Sequence, residues 1–326
     1  MYVHPLNPKI ISNYKKSFIG LGKTNPIDTY VIADFARVGR ITTEPLKGPR
    51  YPALQRLTRY RLHLADCITR EKTYMVSNIF LKNTNHPFSS NHTATAEAIL
   101  TEMLSLEALS NLSSEELIDF VCKHSKNRFS DSEKVCKLLQ RAARNSYRLD
   151  KTLYEPLTVS IASSYNCINA YEQEIKSINK AIEKTLKGLS PDAFTVLQSI
   201  TGIGSAFASG ILAEIGDMHA FHSVDALAKY AGIYWNRNQS GDYRADDTHM
   251  SKVGNKYLRY YRIEVTNSIQ RHEPAFAAYY RKKFDESKTH HHKRAIALTS
   301  RKTIRLIYGL LDRNQLYSAN RVSVIS

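Results

Sequence analysis

Residues 197–217, LQSITGIGSAFASGILAEIGD, decide how this chain is read. Two apolar helices flank Gly202-Ile203-Gly204. Glycine at both positions permits a tight turn with positive φ, and the helix that follows offers unpaired backbone N–H groups and the positive end of its dipole. A phosphate can sit there. That is a helix-hairpin-helix, which grips a nucleic-acid backbone without reading bases. An ordinary helical hairpin with a glycine turn is the other reading of the same residues.

Working outward, DALAKYAGIYW (225–235) predicts a helix running into a strand. It is followed by QSGDYRADDTHMSKVGNKYLRYYR (239–262), where a Ser-Gly turn, paired aspartates and several cations interrupt the apolar pattern. Gly241 lets the backbone at Ser240 turn sharply and expose the hydroxyl. Arg237, Arg244, Lys252 and Arg259 are placed to hold a phosphodiester and stabilise its developing charge, so Ser240 could attack phosphorus. On its own the stretch also reads as a polar hairpin, since Ser-Gly pairs are common turns.

The chain has 326 residues, with 46 Lys and Arg against 30 Asp and Glu, a net charge of +16. Such a surplus points to a polyanionic partner, because each neutralised phosphate releases counterions. Nucleic acid is therefore the expected partner. A membrane is not, because no apolar run approaches the ~20 residues of a spanning helix and no signal peptide opens the chain. Cys67, Cys122, Cys136 and Cys167 are scattered, which argues against a disulfide framework or zinc site and fits a reducing cytoplasm. His290, His291 and His292, with His272 upstream, read as an exposed basic loop, because adjacent histidines splay rather than converge on a metal.

The rest of the chain reads as mainly helical. Residues 1–11 suggest a short strand and a turn. A helix follows with Asn25 as its cap, Pro26 in its first turn and Gly39 at its end. Residues 54–82 form a long basic helix, residues 83–95 a polar loop, and residues near 96–109, 113–124 and 131–146 three helices, the second opened by the pair Ser113 and Glu116. From 150 to 187, Leu153, Leu157, Ile161, Tyr165, Ile168, Tyr171, Ile175, Ile178 and Ile182 recur at three and four, a seam that suits a coiled coil.

GIGSAFASGILAEIGD, ALAKYAGI, SGDYRADD, SKVGNKYLRYY and HKRAIALTSRKTIRLIYGLL occur in an order and spacing that resembles the transposases of the insertion-sequence one-ten family (IS116/IS110/IS902 type). The likeness covers almost the whole chain. It implies a DNA recombinase with a DEDD acidic site on a ribonuclease-H/RuvC-like domain, a coiled-coil linker and a C-terminal domain that supplies a serine nucleophile. It further implies an RNA guide, Mg²⁺ as cofactor, and Ser240 as the serine. The domains would then be a RuvC-like remnant at 1–50, a helical and coiled-coil region at 51–190, and a transposase domain with the helix-hairpin-helix at 191–326.

KTNPIDTYVIADF resembles the family segment that carries the last two acids, which fall at Asn25 and Asp28. Three apart, they share a helix face as paired Mg²⁺ ligands should. Asn25 is a neutral, weaker ligand, Asp34 faces away, and nothing ties Asp246 or Asp247 to this set. The family's first Asp and its Glu have no counterpart in the sequence, so the resemblance implies an N-terminally shortened chain. Two functions follow as expectations. One is a recombinase in which Asp28 helps bind Mg²⁺ and Ser240 attacks DNA across a composite site between subunits joined by the coiled coil. The other is a protein that binds nucleic acid or a partner subunit without catalysis.

Overall fold

The computed structural model describes residues 8–41, 50–82, 90–102, 106–125, 131–146, 149–235, 239–240, 243–244 and 250–319, together with His4, Leu6, Phe88 and Phe129. Helices dominate, as expected. In chain order they are α1 (Pro8–Lys15), α2 (Asn25–Arg37), α3 (Arg50–Lys82), α4 (Ala94–Glu102), α5 (Leu106–Asn111), α6 (Ser114–Ser125), α7 (Ser132–Asn145), α8 (Lys151–Lys187), α9 (Pro191–Gln198), α10 (Ser205–Ile215), α11 (Val224–Tyr230), α12 (Lys256–His272), α13 (Pro274–Asp285) and α14 (His291–Asp312). The strands are two residues each: β1 (Tyr234–Trp235) pairs antiparallel with β4 (Met250–Ser251), and β2 (Gln239–Ser240) with β3 (Tyr243–Arg244). Among the described residues no helix is long and apolar enough to cross a membrane.

The start of the chain corrects one expectation. Helix α1 runs through residues 8–11, which were expected to be strand and turn. Pro8 suits a first helical turn, where its missing N–H costs nothing, and Tyr14 then meets Phe18 and Phe35 edge-on. The region expected to be a RuvC-like remnant consists, among its described residues, of α1 and α2. Asn25 opens α2 rather than capping it; the cap is Thr24, with Pro26 in the first turn. Gly39, at φ 71°, ends the helix as expected.

The chain packs as two units. Residues 60–178 form one. Its first core gathers Leu109, Leu117, Val121, Leu139 and Tyr154, and its second packs Met75 and Ile79 of α3 and Leu100 of α4 against Ile161, Tyr165 and Ile168 of α8. That stretch of the α8 seam is therefore filled from within the chain. Leu153, in contrast, is exposed, and Pro156 lies inside the helix. A capping box opens α6: Ser113 Oγ accepts from Glu116 N while Ser113 N donates to the Glu116 carboxylate.

Residues 1–59 and 179–326 form the other unit. Helices α9, α10, α12, α13 and α14 bury Leu197, Ile211, Leu258, Val265, Phe276 and Ile304, and α11 packs on α14. The apolar residues of α10 are buried from Ala208 to Ile215, as the all-round apolar sequence requires. His291 and His292 open α14 rather than lying in a loop; His290, left-handed at φ 51°, caps it.

Candidate functional site

The hairpin turn is built much as the sequence predicts, with one correction. Gly202 has φ 99°, but Gly204 has φ −81° and serves as the N-cap of α10. Only the first glycine uses the left-handed region. A Cβ at Gly202 would lie 3.0 Å from Ser268 Oγ and 3.2 Å from Ile269 N, so the turn is pressed against the middle of α12. Gly204 meets nothing within 4 Å and is exposed, with Ser205 exposed beside it. No side chain caps the helix. The α10 N-terminus thus opens to solvent at the one end of the hairpin where a phosphate could approach.

The segment that carries Ser240 grows from a pinned base. Tyr234 pairs with Ser251 and Trp235 with Met250. Just below that ladder, Gly232 (φ 69°) and Gly254 (φ 149°) cross: a Cβ on Gly254 would lie 2.4 Å from Tyr230 O and 2.6 Å from Gly232 N. Only glycine fits both, for space and for conformation. Asn255 N donates to Tyr230 O at 2.7 Å and Ile233 N to Ala228 O at 2.9 Å. Arg259 Nη1 donates to Lys252 O (3.0 Å) and Ala231 O (3.3 Å), holding both limbs of the stalk, and burial lowers its pKa. The guanidinium expected to meet phosphate is thus engaged in the turn.

Beneath the stalk lies a charged network that sequence reasoning missed. Glu214, fully buried at the end of α10, accepts from Arg59 Nε and Nη2 at 2.7 Å each. Its Oε2 also accepts from Asn255 Nδ2 at 2.7 Å, while Asn255 Oδ1 caps α12 by accepting from Tyr257 N and Leu258 N. The Glu214 bond, and after it desolvation in the opposite sense, leaves the Arg59 guanidinium with a raised pKa. Its plane also lies 4.4 Å over the Tyr257 ring. A bidentate guanidinium, itself partly open to water, together with the Asn255 amide is the form in which the buried Glu214 carboxylate is tolerated. The readable signal was a lone Glu in the otherwise apolar ILAEIG run.

Above the stalk, Ser240 pairs with Tyr243 and Gln239 with Arg244 in the β2–β3 ladder. The side chains of Ser240 and Arg244, and all of Arg237, Asp246 and Asp247, lie outside the described residues. Lys252 is exposed at the foot of the ladder.

The expected acidic pair lies in α2. Asp28 takes an ion pair from Lys15 Nζ at 2.5 Å, and Asn25 is exposed. Asp34 accepts from Tyr14 Oη at 2.6 Å and from Arg37, and those bonds, Tyr14's foremost, hold its carboxyl below the ordinary range. Among the described residues no three His, Cys, Asp or Glu side chains come together to hold a metal. One carboxylate already paired with a lysine, plus one amide, does not fit a divalent cation that wants six oxygen ligands.

Comparisons with known proteins bear on both segments. Residues 195–281 match the model described as Transposase IS116/IS110/IS902 family, and residues 1–84 match a transposase model of the DEDD type. The chain is 26% identical over 306 residues to an insertion element IS900 protein of 42 kDa from Mycobacterium paratuberculosis, covering 92% of this chain and 74% of that protein. It is 28% identical over 169 residues to the transposase for insertion sequence element IS1111A of Coxiella burnetii, 45% of this chain and 44% of that one. Over 320 residues it is 22% identical to a 44.8 kDa insertion element IS116 protein of Streptomyces clavuligerus, 95% of this chain and 76% of the other.

Proposed function

The chain belongs to the IS110-type family of insertion-sequence transposases, and on that premise we propose that it cuts and rejoins DNA through Ser240. Family membership itself carries transposase function and DNA as a partner, and the DEDD model goes with dependence on a divalent metal. The finer reading assigns chemistry to residues. Ser240 Oγ attacks a backbone phosphorus, the bond to one deoxyribose oxygen breaks, and that oxygen leaves with a proton. A second strand's hydroxyl then attacks the phosphoserine, forms the new P–O bond and returns the serine. Arg237, Arg244 and Lys252 hold the phosphodiester, Arg259 acts on it through the stalk, and Gly202 and Gly204 shape a second backbone grip at the start of α10.

The observation that carries this reading is the base of the serine segment: two glycines that no other residue can replace, a cross-strand ladder and an arginine bracket, all inside the matched 195–281. Such fixing is what positions a nucleophile. On the same reading Mg²⁺ is the metal; Asp28 and Asn25 do not suffice for it alone, so the remaining carboxylates would come from a second copy of the chain joined through the α8 seam beyond Ile168, and an RNA selects the target. The segments 1–50, 51–190 and 191–326 are its functional divisions.

One observation favours binding without catalysis: Asp28 is neutralised by Lys15, and no third acid stands near it among the described residues. A single experiment separates the two. The full chain is incubated with labelled DNA of the element's ends, RNA transcribed from its flanks and Mg²⁺, then probed for an SDS-resistant protein–DNA adduct. The catalytic reading expects an adduct lost in Ser240→Ala. An equal adduct in that variant removes Ser240 from the role, and no adduct in the wild type, with DNA binding retained, leaves the binding protein.

A further inference from the structure

Charge is unevenly spread along this chain. Between Pro274 and Arg305 there are nine Lys and Arg against two Asp and Glu, a net of +7 out of +16 for the chain. The stretch forms the packed pair α13 and α14, largely past the residue at which the family match ends. On α13, Arg281 and Lys282 are exposed on the side away from the buried Phe276. Lys288 and Lys293 are exposed around the connection, and Arg305 is exposed on the outer side of α14, opposite the buried Thr299 and Thr303.

The inner cations are held by their neighbours. Lys302 Nζ lies over Phe276 and Tyr279 at 5.5 and 5.3 Å, Lys283 reaches Glu286 at 2.5 Å, and Arg301 meets Asp225 at 3.2 Å. The Lys302 contacts tie α14 to α13, and Arg281, Lys282, Lys288, Lys293 and Arg305 are left facing water.

What the face lacks selects its partner. The large hydrophobic residue exposed here among the described ones is Phe284, tilted against the His291 ring. An interfacial membrane helix needs an apolar face to insert, and the core of a protein–protein interface is aromatic and apolar rather than charged. Cations on a rigid helical pair without such a face suit a polyanion gripped by charge alone. We propose that the outer face of α13–α14 is a second, sequence-independent contact for the backbone of duplex DNA, apart from the Gly202 turn and the Ser240 segment. The choice of DNA among polyanions rests on the transposase reading.

The test measures binding of the full chain to a duplex of about 30 bp by fluorescence anisotropy from roughly 50 to 250 mM salt. The triple variant Lys282→Gln, Lys288→Gln, Lys293→Gln is expected to lower the slope of log affinity against log salt by about 2 to 3, one contact each, and to weaken binding about tenfold or more at the low-salt end. A matched triple on α8, Lys176→Gln, Lys180→Gln, Lys184→Gln, is expected to leave the slope unchanged, and circular dichroism checks that both variants fold. Equal losses in the two triples, no loss in the first, or a loss seen only with RNA of equal length would each overturn the proposal. Adduct formation in the same variants is read separately. An adduct that depends on Ser240, beside an unaltered salt slope, would leave the transposase reading standing and remove this surface.

Discussion

Arg262 is the largest fully buried side chain among the described residues, and no carboxylate accompanies it. Its Nη2 donates to Ser300 O at 2.5 Å, while Nε and Nη1 find no partner among the described residues. Loss of solvent pushes its pKa down to about 9. At about 1.36 kcal/mol per pH unit a fall of that kind is a penalty of a few kcal/mol or more, carried by the folded state at neutral pH. Arg262→Met keeps the volume and removes the charge. It forfeits the bond to Ser300 O, about 1 kcal/mol, but Ser300 O retains its place in the α14 ladder. The expected result is a gain of about 2 kcal/mol or more, as when other buried charges give way to apolar side chains.

The sign with pH follows from the lowered value. Below about 9 the native state must hold a charge that the unfolded chain solvates freely, so the penalty is fully present; above about 9 the unfolded chain binds the extra proton and stability rises with pH. Buried tyrosines work against this at alkaline pH, since burial raises Tyr154 to about 12 and Tyr317 is raised as well, so the informative quantity is the difference between wild type and variant. Trp235, the chain's single tryptophan, lies in the same unit as Arg262 and reports urea unfolding there. The difference should favour the variant at pH 7 and shrink towards pH 10.5. An Arg262→Met variant less stable than wild type at pH 7 would mean that the guanidinium has a compensating partner, and the reasoning fails.

Gly254→Ala places a methyl 2.4 Å from Tyr230 O at φ 149°. It should cost about 3 kcal/mol or more, read by Trp235 fluorescence, and abolish adduct formation. Glu214→Gln breaks the bidentate pair with Arg59 and should destabilise the same unit by about 2 to 4 kcal/mol, whereas Arg59→Lys, which keeps the charge but not the fork, should fall between wild type and that variant. Lys82, buried beneath Leu100 O and Thr158 with its pKa lowered to about 8, gives the 60–178 unit a stability that rises from pH 8 to 10.5; hydrogen exchange of that unit should lose this rise in Lys82→Met.

What the sequence made legible was local. The capping pair Ser113 and Glu116, Pro26 in a first turn and the long run of α8 each rest on spacing within one element, and each stands in the structure. The hairpin at Gly202 was legible because two glycines between apolar helices leave little else to form. Residues 8–11 were misread because the short stretch 1–11, with prolines at 5 and 8, has no period to choose by, while the helix they open packs Tyr14 on Phe35 of another element. Gly232 and Gly254 were passed over because their need for glycine lies in each other, twenty-two residues apart. Arg59, Glu214 and Asn255 meet only in space, and Arg262 looked like one more cation of a basic helix.

Helix α12 gives these separate features one physical meaning. Its N-cap, Asn255, closes the stalk beneath Ser240, and its middle, at Ser268 and Ile269, is the wall against which Gly202 turns. Thirteen residues separate Asn255 from Ser268, which at 1.5 Å each is ~20 Å of rigid helix. A duplex presents one phosphate charge per ~1.7 Å of axis, so that span corresponds to roughly 12 charges, or about 6 base pairs. On the proposed function, a phosphate contact at the α10 N-terminus and the base of the serine segment would be held at a fixed spacing by α12, about that of six base pairs if α12 runs along the duplex. Neither can shift against the other without breaking the Glu214–Asn255 bond or opening the Gly202 turn. Glu214 serves that coupling by holding Asn255 Nδ2, which leaves Asn255 Oδ1 to cap α12 and its backbone N–H to fasten the stalk, a set of bonds no apolar side chain could make.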